Sequence, residues 1–283
     1  MSLLSQVNAL LAAQRSEWPQ AKIGFEALHS CLYRQFSIAG QPFTIQHNPA
    51  RAVSTGARVD KASIAARKCF LCRENRAAEQ QGIEFDNGNF EILVNPFPIF
   101  RNHLTIASVS HVPQAIGGHL PVMLRMAEAL PGYTVFYNGP RCGASAPDHL
   151  HFQAGESDAL PLWRWIDSGA GPLPVKCHIL EAESVDGAVK MFAELMQSLP
   201  QPSGEQEPMI NVLTRHRNGA WQIVVIPRRA HRPRCYTATH REGFMISPAS
   251  VDLAGLLVVP RPDDFRRLDV RTLQTIINDV TFS

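Results

Sequence analysis

The chain has 283 residues, is 45% hydrophobic and 18% charged, and carries a net charge of +2. This is an ordinary globular balance, long enough for one large domain or two average ones. The weak charge does not point to nucleic acid, no apolar run is long enough to cross a bilayer, and six scattered cysteines make no disulfide framework, so a reducing cytoplasm is the expected compartment.

At the start, Leu3, Leu4, Val7, Leu10 and Leu11 recur at helical spacing. Residues 1–16 lack a basic start and a cleavage pattern, so they read as an amphipathic helix and not as a secretory leader. Residues 36–38 and 43–46 read as two short strands joined by Ala39-Gly40. The stretch 48–61 has no clear period and reads as a loop or a substrate-covering flap. After Cys69-Phe-Leu-Cys72 come a strand over 90–95, stopped at Asn95-Pro96, and a second over 103–109. A helix over 120–130 and a third strand over 133–137 follow. Residues 69–155 therefore read as an antiparallel sheet with a crossing helix.

A Gly/Pro-rich joint at 168–174 opens the second half. There, 175–180 reads as a strand and 185–199 as a helix. Residues 209–214 and 221–226 read as a hairpin around Asn218-Gly219, a type I′ turn pair. Arg215, His216 and Arg217 beside that turn are expected at the surface. Residues 253–259 read as a strand or a buried helix end, and 268–280 as a helix. From the residues alone the fold class is α+β.

The stretch that organises the chain runs from Asn138 to Gln153. Its end, His149-Leu-His-Phe-Gln153, alternates polar and apolar at the strand period. His149, His151 and Gln153 are thus expected on one face, with Leu150 and Phe152 turned into a core. Upstream lies a turn-rich segment with Gly143, Ser145 and Pro147, of the kind that offers backbone N–H groups to an anion.

The whole stretch, Gly143, Ser145, Pro147, His149, His151 and Gln153, resembles the signature of the histidine-triad superfamily in its His-x-His-x-Gln branch. That branch holds galactose-1-phosphate uridylyltransferase, dinucleoside polyphosphate phosphorylases and GDP-sugar phosphorylases. The run Ile246-Ser-Pro-Ala-Ser with Ala254-Gly-Leu-Leu-Val-Val-Pro looks most like the last of these, though it is far less specific. The resemblance implies an antiparallel histidine-triad-like fold in two fused halves. Residues 1–160 would hold the catalytic half, and 161–283 a degenerate second half packed with it as one unit.

The same resemblance makes His151 a nucleophile that forms a nucleotidyl-histidine, since an imidazole can attack phosphorus and split one displacement into two. Gln153 would donate its amide N–H to a nonbridging phosphate oxygen. Unlike a third histidine it is a poor proton donor, which favours transfer to another phosphate over hydrolysis. Gly143 and Ser145 would hold a phosphate, with Asn138 as a further donor. Asn95 matches the family's nucleoside contact, and Phe97 and Phe100 are candidates to wall the base. His103 reads as a satisfied structural histidine.

Cys69-x-x-Cys72 alone is weakly diagnostic. The family precedent adds His111 and His149, and together these four suit a structural zinc ion (Zn2+). A basic loop follows, containing Arg228, Arg229, His231, Arg232, Arg234 and Arg241. Arg228 and Arg232 are its candidates for a second phosphate. The expected activity is therefore nucleotidyl transfer or phosphorolysis. The donor would be a nucleotide sugar or dinucleoside polyphosphate and the acceptor phosphate or a sugar phosphate. A nucleotide phosphoramidate or dinucleotide hydrolase and a non-enzymatic zinc-containing nucleotide- or RNA-binding protein are the alternatives. A homodimer is left open.

Overall fold

The computed structural model describes residues 1–237, 239 and 242–282; Arg241 of the basic loop lies outside the described residues. The eleven strands described are β1 Leu32–Ile38, β2 Gln41–His47, β3 Gly82–Phe85, β4 Phe90–Val94, β5 Leu104–Ser108, β6 Tyr133–Asn138, β7 His151–Glu156, β8 His178–Ala182, β9 Ile210–Arg217, β10 Ala220–Pro227 and β11 Leu256–Val259. The helices are α1 Leu3–Glu17, α2 Pro19–Leu28, α3 Ala52–Thr55, α4 Lys61–Ala65, α5 Leu120–Ala129, α6 Pro161–Ser168, α7 Val185–Ser198, α8 Ser250–Leu253, α9 Pro262–Arg267 and α10 Val270–Val280.

Eight strands form one antiparallel sheet in the order β3-β4-β5-β7-β6-β9-β10-β8. β6 pairs with β9, so strands before and after residue 160 share this sheet. The fold is α+β and histidine-triad-like, built on antiparallel pairing as expected. A second sheet, β1-β2-β11, pairs β11 parallel to β2 across some 200 positions of sequence, a contact no local pattern announces. Its hairpin turns through Ala39 (φ 53°) and Gly40 (φ 80°), the two left-handed residues a type I′ turn requires.

Strand alternation divides the interior into two cores. On one face Leu104, Ile106, Val135, Tyr137, Leu150 and Phe152 pack with Val7 and Leu11 of α1, Met123 of α5 and Phe192 of α7. On the other, Phe136, Leu213, Val224 and Ile226 pack with Phe43 and Ile45 of β2, Trp163 and Trp165 of α6, and Ile276 of α10. His151 and Gln153 alternate with Phe152 along β7, so they emerge on this second side, beneath the smaller sheet.

Two expectations change. Arg215 is buried: its guanidinium lies 4.4 Å over the Trp163 ring, pairs with Asp167 and donates to Gln222 Oε1. The strand read at 175–180 starts later, at His178, because its register is set by pairing with β10. The stretch read as a loop or flap is a 3-10 turn over Pro49–Arg51 followed by α3 and α4, none of which buries a residue.

Candidate active site

A cavity of about 820 Å³ opens between the two sheets. His151 and Gln153 line it, together with Asn95, Asn138, Gly143, Ser145 and Arg232. His151 is nearly inaccessible, and its Nδ1 lies 2.8 Å from the His149 carbonyl. A carbonyl only accepts, so Nδ1 carries the proton and Nε2 keeps its lone pair. Burial lowers the His151 pKa to about 4, so the ring is neutral at physiological pH.

The backbone of His151 is held from below by Gln114. The Gln114 Oε1 accepts the His151 N–H at 2.8 Å, and Nε2 donates to the carbonyls of His151 and Asn138. This clamp joins β7 to the end of β6. It lies far off in sequence and carries no local signal.

Gln153 is oriented by His103. Nδ1 of His103 accepts the Ile99 N–H at 3.1 Å, so Nε2 is the protonated nitrogen and donates to Gln153 Oε1 at 2.9 Å. Burial, with Arg51 nearby, lowers the His103 pKa to about 3 and keeps it neutral. The Gln153 NH₂ group is thereby left for the cavity. His103 is the satisfied histidine the sequence suggests, and the residue it satisfies lines the site.

The turn-rich loop closes tightly. Gly143 has φ +100°, and a Cβ there would come within 2.5 Å of the Ala249 Cβ. Only glycine permits both the backbone angle and the approach of the loop to residues 248–250. Asn138 Oδ1 accepts from Asn211 Nδ2 and from the Ser250 N–H, so its amide nitrogen is the end left for a ligand. Asn95 folds back on itself: Oδ1 accepts the Phe97 N–H and Nδ2 donates to Thr105 Oγ1. Phe97 lines the cavity, whereas Phe100 does not; it packs in the core over Gly155, where a Cβ would come within 2.3 Å of its ring.

Of the basic loop, Arg232 reaches the cavity and Arg228 does not. Arg228 is 2% exposed, and its nitrogens donate to the carbonyls of Val280, Pro248, Ala230 and His231 and to Asn211 Oδ1. It ties the loop to the end of α10 instead of meeting a phosphate. Arg51, from the segment without clear period, does line the cavity and donates to the Phe97 carbonyl.

Near the start of β7, Cys69, Cys72, His111 and His149 bring their ligand atoms within 4.8 Å of one another, a cluster that could hold a metal ion. The donors are prepared for that. His149 Nε2 donates to the Ser108 carbonyl at 2.7 Å, which frees Nδ1 toward Cys69 Sγ at 3.3 Å and Cys72 Sγ at 3.6 Å. His111 Nδ1 lies 3.2 Å from Cys72 Sγ. Burial, the largest single influence, would raise the Cys69 thiol, but its bond to His149 together with the Leu71 and Cys72 N–H groups brings it to about 6. His149 lies two residues before the first residue of β7 and joins this cluster.

The sheet, the cavity and the His-x-His strand define a histidine-triad-like α+β protein. The chain belongs to the family described as Domain of unknown function (DUF4922), which matches residues 10–156. No curated protein matches it significantly. Among solved structures, yeast Ap4A phosphorylase Apa2 in complex with Ap4A is similar, with TM-score 0.68 and 16% identity over 100% of this chain and 98% of that one. The same yeast enzyme crystallised alone gives TM-score 0.64 and 17% identity over 93% and 96%. In complex with AMP it gives 0.60 and 18% over 93% and 95%. At these identities the likeness is one of fold.

Proposed function

We propose that the protein is a nucleotidyltransferase of phosphorylase type, acting on a nucleotide sugar or dinucleoside polyphosphate through nucleotidyl-His151. The observation that carries this reading is the 2.8 Å bond from His151 Nδ1 to the His149 carbonyl, which leaves Nε2 available in a cavity shared with Gln153 and the Gly143–Ser145 loop. Nε2 attacks the α-phosphorus, an N–P bond forms, and the P–O bond to the leaving group breaks. A leaving phosphate takes the electron pair and needs no proton, which suits Gln153 in place of an acid. The acceptor, phosphate or a sugar phosphate, then attacks the same phosphorus and returns the pair to Nε2.

The Gln153 NH₂ and the Gly143–Ser145 loop bind nonbridging oxygens, and fixed donors of this kind stabilise charge that develops in the transition state. Asn138 supplies one more N–H. Asn95 and Phe97 wall the nucleoside, and Arg232 serves the more distant phosphate. Cys69, Cys72, His111 and His149 would hold a zinc ion with a structural role, tying the segment after α4 to the start of β7. Residues 1–160 form the catalytic half and 161–283 a degenerate second half. The phosphorylase fold of the yeast structures supports this assignment, and the Gln in the third motif position disfavours the hydrolase reading.

Mass spectrometry tests it directly. Protein mixed with nucleotide donors, acceptor omitted, should gain one nucleoside monophosphate on the peptide holding His151. Initial velocities should be ping-pong. Intersecting lines with inversion at phosphorus would instead mean direct transfer, with His151 only a binding residue.

A further inference from the structure

The two ends of the cavity differ in chemistry. One is walled by the α1–α2 junction, the stretch 70–80 and the end of β4. It presents Trp18, Phe70, Leu71, Leu93 and Phe97. Flat apolar walls of this kind suit a nucleobase, which stacks through its π face. The other end is walled by residues 53–59, 231–232 and 247–258, which interlock where Arg232 Nη2 donates to the Ala57 carbonyl at 2.9 Å.

This second end presents Arg58, His231, Arg232, Ser247 and Asp252 beside Val53, Val59, Val251 and Val258, and among the described residues lining it there is no Phe, Tyr or Trp. Arg232 is held rigidly, with Nε 3.3 Å from Ser247 Oγ and its guanidinium 4.0 Å over the Tyr236 ring. A fixed guanidinium matches a phosphate. Ser247 and the neutral His231 ring, whose pKa burial lowers to about 4, offer acceptors and donors to hydroxyls, while the Asp252 carboxylate is held by the Ala249 and Val258 N–H groups. A second nucleobase here would find no aromatic side chain to stack on, whereas a sugar would meet hydroxyl and imidazole partners.

We propose that the basic end binds a phosphorylated sugar, so that the substrate class is a nucleoside diphosphate sugar and not a dinucleoside polyphosphate. The assignment of the reacting bond rests on the nucleotidyl-transfer reading above; the occupancy of the two ends does not.

Calorimetry on the full chain separates the two. The probes are glucose, galactose and mannose 1-phosphates, inorganic phosphate, and the monophosphates AMP, GMP and UMP. At least one hexose 1-phosphate should bind tenfold or more tighter than inorganic phosphate, and should bind together with a nucleoside monophosphate. Its affinity should fall at least tenfold in Arg232→Gln and in Arg58→Gln. Arg58 is exposed, so that variant tests the site even if Arg232→Gln loosens the loop. Phe97→Ala should weaken the monophosphate alone. No preference for any hexose 1-phosphate over inorganic phosphate, or a second monophosphate filling the basic end, would overturn the proposal. Label on His151 is read separately: its absence refutes covalent transfer and leaves the calorimetric result standing.

Discussion

His103 donates a hydrogen bond to Gln153 whose direction is fixed from the opposite side of the imidazole, by the Ile99 N–H on Nδ1. The amide of Gln153 therefore cannot present its oxygen to the cavity without breaking that bond. In His103→Leu the amide is free to turn, and a phosphate oxygen would meet either end. A hydrogen bond to a charged group is worth about 1.5–3 kcal/mol, so turnover should fall roughly 10- to 150-fold with little change in nucleotide binding. The same substitution in a Gln153→Ala background should add little; a full additional loss there would show that His103 acts on something other than Gln153.

His151→Ala should abolish turnover and leave the fold intact. No other side chain on β7 can attack phosphorus and persist as a covalent adduct. Loss of a nucleophile normally costs orders of magnitude. A variant keeping a tenth of wild-type activity, measured beside an unchanged circular dichroism spectrum, would remove His151 from that role.

The purified protein should carry about one zinc per chain, bound by Cys69, Cys72, His111 and His149. Cys72→Ser should lose the metal and lower the melting temperature more than the rate per folded molecule. Metal analysis of chelator-free preparations checks the first point, and paired melting and activity curves the second.

Arg228→Met should destabilise without acting on the substrate. The change leaves the Val280, Pro248, Ala230 and His231 carbonyls short of a donor in a buried place. Each such group costs about 1–3 kcal/mol, so a loss of roughly 3 kcal/mol or more is expected. That corresponds to a fall of about 10 °C in melting temperature. An unchanged KM in the surviving folded protein would fit a structural arginine; a raised KM with normal stability would return it to the binding site.

Acid should destabilise the protein before its ordinary carboxylates titrate, Asp252, which burial raises to about 6, excepted. His103, His151 and His231 are held neutral, with pKa values of about 3, 4 and 4 against an ordinary value of 6.5. Between these limits the unfolded chain binds more protons than the folded one. Stability is therefore fully present above about pH 6.5 and is lost as the pH falls toward 4. Three protons give a slope of at most about 4 kcal/mol per pH unit. Denaturant unfolding from pH 7 to 4.5 measures it, and His103→Leu should remove about one proton of the dependence.

By itself the sequence determined what is local. The alternation His149-Leu-His-Phe-Gln153 determined which face of β7 carries the imidazole and the amide, because a strand side chain can point only one of two ways. Asn218-Gly219 and Ala39-Gly40 marked their turns because few residues adopt left-handed backbone angles. The family likeness of the same stretch nominated Cys69, Cys72, His111 and His149 as one set. Tertiary structure decided what depends on distant partners. It spent Arg228 on backbone carbonyls while bringing Arg232 and Arg51 to the cavity. It set Phe100 in the core and Phe97 in the wall, clamped His151 through Gln114, and turned Gln153 with His103. A charge run or a lone glutamine reads the same whether it meets solvent, a carbonyl or a ligand. Only the packing of β11 on β2, and of residues 231–232 and 247–258 over the large sheet, determines which one it meets.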